Sequence, residues 1–170
     1  VVPNDVDRDA MWVGRTSWPG DTPLIGEVLK IEHTDVGGEI SDPDDAETLF
    51  EVEAVVQFDD LDGAAWQPIV DFGNGPDADN ISLTQAGITN DMALYVYDGD
   101  KASHITAFGV IEEGETATWN ASVNSAGKME IYKDGTLVAS GYGHAPNEVV
   151  RENMLVGESN WEGEGPLIGK

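Results

Sequence analysis

The 170-residue sequence contains no cysteine. That excludes a disulfide framework and thiolate metal sites. It has no apolar run near the roughly 18 residues that a membrane-spanning helix needs, so no membrane insertion is expected. It shows no signal-peptide pattern, and Val1 is not an initiator Met, so the chain is expected to be a piece of a longer one. Basic residues are scarce: 8 Lys and Arg stand against 33 Asp and Glu, for a net charge of −25. Such a surface repels nucleic acid and anionic membrane. The histidines, His33, His104 and His144, are scattered, and none pairs at zinc-like spacing. No Ser-His-Asp or Cys-His constellation and no phosphate-binding loop is visible.

What is present points to strands. In "LFEVEAVVQF", Phe50, Val52, Ala54 and Val56 alternate with acidic and other residues, the period-two pattern of a half-buried strand. "PIVDFG", "NISLTQ", "ALYVYDG", "HITAFGVI", "TATWNASVN" and "MEIYKDGTLVASG" follow, each short and closed by Gly, Asn or Asp. "SAGK" and "KDGT" have the chemistry of hairpin turns, with Gly127 and Gly135 at the positions that need positive φ. No amphipathic helix is apparent. Many short strands separated by turns predict an all-β, two-sheet antiparallel β-sandwich as one domain over residues 1–170. Trp66 and Trp119 are expected in its core.

One segment occurs twice. "RDAMWVGRTSWPGDTPLIGEV" from Arg8 aligns without a gap to "RENMLVGESNWEGEGPLIGK" from Arg151, at an offset of 143 residues. The N-terminal copy continues as "GEVLKIEH". Residues 1–33 are therefore expected to be an arm that repeats 151–169 and supplies a closing strand through Glu27–Glu32, or else the tail of a preceding repeat.

The acidity has two explanations, a salt-adapted surface or carboxylates that hold Ca²⁺, a hard cation that takes oxygen ligands. Asp5, Asp7 and Asp9 alternate in "NDVDRD", a spacing that suits a chelating loop or a solvated tail equally. Asp98 and Asp100 stand at a hairpin tip in "YDGDKAS" and are candidate ligand contacts.

The run "GETATWNASVNSAGKMEIYKDGTLVASGYG", with "FEVEAVVQFDDLDGAAWQPIVDFGNG" before it and "MLVGESNWEGEGPLIGK" after it, resembles laminin-G-like, concanavalin-A-like jelly rolls, covering about Phe50 to Lys170. In the pentraxin branch of that fold, an Asp-Asn pair and a later Glu-x-Asp loop hold Ca²⁺. The resemblance carries this onto Asp79 and Asn80 in "GPDADNISL" and onto Glu158 and Asn160 in "VGESNWEG", where Asn160 replaces the usual Asp. Asp77, Glu162 and Glu164 lie within reach of the same loops. Trp161, with Ser159 beside it, is a candidate platform for a ligand. Glycanases of this fold use three carboxylates along one strand. Here Glu51 and Glu53 share a face but Val56 stands at the third position, so a solvated face explains them better and no enzyme activity is expected.

Together these features resemble the ligand-binding modules of repeat-toxin-type (RTX) bacterial surface adhesins. The resemblance implies an extracellular, Ca²⁺-dependent module on the bacterial cell surface, monomeric within a longer chain. Its partner would be a peptide C-terminal carboxylate on another cell, or alternatively a glycan. A purely structural spacer is the third reading.

Overall fold

A computed structural model describes residues 46–170. Nine strands follow in order: β1 (Thr48–Gln57), β2 (Pro68–Gly73), β3 (Ile81–Gln85), β4 (Met92–Asp98), β5 (Lys101–Ala107), β6 (Thr116–Asn124), β7 (Lys128–Lys133), β8 (Thr136–Tyr142) and β9 (Asn153–Val156). Among the described residues there is no helix. A four-stranded sheet runs β1-β6-β7-β8 and a five-stranded sheet runs β5-β4-β3-β2-β9. All pairings are antiparallel. The expected two-sheet sandwich is the observed fold. The repeated arm, its proposed closing strand and the Asp5–Asp9 cluster lie outside the described residues.

Period-two patterning builds the core. Phe50, Val52 and Val56 of β1, Trp119, Ala121 and Val123 of β6, and Met129 and Ile131 of β7 point inward and are buried. They meet Phe72, Leu83, Leu94, Val96 and Ile105 of the other sheet. Phe50 and Phe72 touch edge to face across the interior, with ring centroids 6.2 Å apart. The β7–β8 turn places Asp134 and Gly135 at φ of 50° and 75°, the left-handed pair that a two-residue hairpin demands.

The two sheets differ on their outer faces. On the four-stranded sheet β1 exposes Glu51 and Glu53 on its outer face, with Val55 the apolar exception. In the five-stranded sheet every residue of β2 and of β3 is buried, because the segment after β9 folds back across them. Gly157 N donates to Ile69 O at 3.0 Å, Gly165 N to Ala65 O at 3.1 Å and Ile168 N to Gln67 Oε1 at 2.7 Å. The segment then runs antiparallel to the end of β1, where Lys170 N donates to Gln57 O at 3.0 Å and Gly169 bridges Phe58. A Cβ at Gly169 would lie 1.8 Å from Gln57 O. The glycine that ends "PLIG" is thus required by this close approach.

Candidate functional site

The outer face of the five-stranded sheet carries a polar row. Register places Asp71 of β2 opposite Ser82 of β3, Ser82 opposite Tyr95 of β4, and Tyr95 opposite His104 of β5. Asp71 is 1% exposed. A buried carboxylate is costly unless hydrogen-bonded, and this one has two donors with a hydroxyl close by. Asn80 Nδ2 donates to Oδ1 at 2.9 Å, the backbone N of Asn160 donates to Oδ2 at 2.7 Å, and Ser159 Oγ lies 3.4 Å from Oδ2. Asn80 reaches Asp71 across Gly73, where a Cβ would meet the Asn80 side chain at 2.3 Å. Ser159 Oγ also hydrogen-bonds Glu164 and accepts from Trp161 N at 3.1 Å. One buried acid thus folds the 157–164 loop onto the sheet.

Beside that knot lies a pocket of roughly 150 Å³ lined by Trp66, Tyr95, Tyr97, Trp161 and Glu164, with the buried Ser82 and Thr84 beneath. Trp161 leans on Tyr97 at 5.5 Å between centroids, Trp66 meets Tyr95 edge-on at 6.1 Å, and His104 stacks on Tyr95 at 4.8 Å. Trp66 is not a core residue, contrary to the sequence expectation. It takes φ of 58°, its N–H is bound to Gly87 O at 2.8 Å, and its half-buried side chain lines the pocket. Trp119 is buried as expected.

Burial raises the pKa of the Glu164 carboxyl, a hydrogen bond from Ser159 opposes this, and the nearby Asp71 adds to it. Burial raises Tyr95, with Glu164 contributing. Tyr97 is pushed up to about 12 by burial first, then by Asp77 and other acidic neighbours. A phenol that ionises later in the folded state than in the unfolded state destabilises the fold at high pH, because the unfolded chain releases its proton first. Stability is therefore expected to fall between pH 10 and about 12. In Tyr97→Phe that part of the loss should vanish, as read from melts against pH.

The predicted site residues separate into groups. Asn80, Ser159 and Asn160 converge, on Asp71. Asp79 does not join them. Its φ of 58° breaks the alternation before Asn80, and its carboxylate accepts from Gly99 N at 2.9 Å and Asn147 Nδ2 at 2.8 Å. These bonds hold its pKa low, Asn147 contributing most. Asp98 shares Asn147, at 2.9 Å, while Arg151 Nε donates to Asp79 O at 2.8 Å. This second cluster ties the 144–152 segment to the β4–β5 turn. Asp77, Asp100, Glu158 and Glu162 are exposed. Among the described residues no three His, Asp or Glu side chains converge as a metal site, and the Asp71 oxygens already face protein donors. Glu51 accepts from Asn120 Nδ2 at 2.9 Å on the opposite outer face, within the solvated surface expected of it.

Sequence reasoning missed Asp71, Tyr95 and Tyr97. The available signals were an acid inside the otherwise apolar "PIVDFG" and two tyrosines at alternate positions of "ALYVYDG".

No family model matches the chain, and no curated protein matches it. Among solved structures, the CBM40 of a Ruminococcus gnavus IT-sialidase bound to α2,3-sialyllactose is similar, with a TM-score of 0.55 at 13% identity over 73% of this chain and 70% of that one. The likeness is one of fold. It is shared by two all-β sandwiches, and it carries no site residue across.

Proposed function

We propose that this chain is a non-catalytic glycan-binding module of an extracellular bacterial surface protein, with its site at the aromatic pocket on the five-stranded sheet. The observation that carries the proposal is the convergence of Trp66, Tyr95, Tyr97 and Trp161 around one small concavity with polar groups at its base. Flat aromatic faces pack against the apolar faces of a sugar ring, while Ser82, Thr84 and Glu164 supply hydrogen-bond partners for its hydroxyls. The pocket is smaller than the roughly 300–1,000 Å³ of sites for drug-sized ligands, so it suits a single terminal ring. The fold likeness to a carbohydrate-binding module supports the same class. An adhesin is the natural setting for such a module, since a very acidic surface stays soluble and resists nonspecific contact with anionic surfaces.

The peptide-end reading needs a cation to meet the terminal carboxylate. Among the described residues no Lys or Arg lines the pocket, so that reading depends on bound calcium. One experiment separates the two. The protein is applied to a glycan array, and its melting temperature is measured, in EDTA and in millimolar CaCl₂, with Glu158→Ala alongside. The expected result is glycan capture in both buffers and a melt that calcium does not move. A calcium-dependent rise lost in Glu158→Ala, with capture of C-terminal peptides and no glycan, would replace this proposal with the calcium-held peptide binder.

A further inference from the structure

The charge around the pocket restricts which sugar can enter. Its lining has one ionisable acid, Glu164, half-buried beside four aromatic rings, and the second acid, Asp71, lies just behind it on Ser159. Among the described residues no Lys or Arg lines the pocket: Arg151 is engaged on Asp79 O, Lys133 on Glu115 and Val110 O, Lys128 on Glu130, and Lys101 stands exposed on β5 opposite Asp98. Aromatic faces present the negative side of their quadrupole. An anionic ligand would therefore meet the Glu164 carboxylate and four electron-rich rings on a molecule of net charge −25, with Asp71 buried behind and, among the described residues, no compensating base in the lining.

The opposite charge is favoured on every count. We infer that the pocket prefers a sugar ring bearing a protonated amine, with the ammonium among the Trp and Tyr faces and paired to the Glu164 carboxylate. Cation–π attraction and the ion pair act together here because the site is partly dry. A bound cation also offsets the burial that now disfavours the ionised form of Glu164. This selectivity runs against the sialylated ligand that occupies the similar CBM40, so shared fold and shared ligand come apart. The inference rests on the glycan-binding reading but fails separately from it.

The test is a tryptophan-fluorescence titration of the whole chain with glucosamine, glucose, sialyllactose and tetramethylammonium, in wild type and in Glu164→Gln. Glucosamine is expected to bind about tenfold more tightly than glucose, tetramethylammonium to compete with it, and sialyllactose to give no response. In Glu164→Gln the ratio of glucosamine to glucose affinity should collapse towards unity. Glucose binding as tightly as glucosamine, or sialyllactose binding best, overturns the inference and leaves glycan binding intact. Tetramethylammonium binding with no sugar response overturns the glycan reading and makes the pocket an ammonium site. Silence from all four probes overturns both.

Discussion

Asp71→Ala is expected to lower stability by about 3 kcal/mol, which for a chain of this size shifts the melting temperature by roughly 6–12 °C. The wild-type carboxylate holds Asn80 Nδ2 and Asn160 N, with Ser159 Oγ close by, and it is buried. Removing it strands donors that water cannot easily reach, and a stranded buried donor costs more than an average hydrogen bond contributes. Asp71→Asn keeps one acceptor oxygen but turns an amide towards existing donors, so it should lose about half as much. Ser159→Ala should cost less than about 1 kcal/mol, because Asn160 N still engages the acid. Urea unfolding of the three variants gives the ranking. A near-neutral Asp71→Ala would show that the loop is held by something other than this knot.

Trp161→Ala is expected to abolish most ligand affinity while leaving the fold nearly intact. The indole stands in a loop, half-buried, and its ring contact is with Tyr97. Its removal takes away one side of a small pocket, and central aromatic anchors typically carry about 2 kcal/mol or more of binding, roughly thirtyfold in Kd. The stability cost should stay near 1 kcal/mol, the worth of one aromatic pair with modest burial. Tyr97→Phe keeps the ring contact and separates stacking from hydrogen bonding by its hydroxyl. Titration on the array-selected glycan, paired with a melt of each variant, measures both effects. An unaltered Kd in Trp161→Ala would move the site away from this pocket.

These two substitutions mark where sequence reasoning succeeds and where it stops. The strands were legible because alternation is local: Phe50, Val52 and Val56 declare a buried face without reference to any other part of the chain. Asn80 and Asn160 were singled out for a metal and Ser159 for a ligand, and the structure does gather them. Their shared partner, Asp71, was hidden because "PIVDFG" gives no sign that its outer face is covered. The cover comes from residues 88 and 89 positions later in the chain, a tertiary fact that no window of sequence contains. Asp79 shows the converse. Adjacency to Asn80 suggested a common ligand set, but Asp79 itself takes the left-handed conformation, and its carboxylate goes to Asn147. Trp66 was expected in the core, and a large aromatic side chain favours burial without guaranteeing it.

Beyond the short pairing with Gly169 and Lys170, the long strand β1 borders its sheet among the described residues. A sheet border of that length is a template on which a second molecule could assemble. The alternation that folds β1 also guards it. Glu51 and Glu53 stand outward along the border, so two such borders meeting antiparallel would press like charges together. The acidity that looked like a generic solvent coat is, at this strand, a barrier to polymerisation, and it is a barrier that salt would lower.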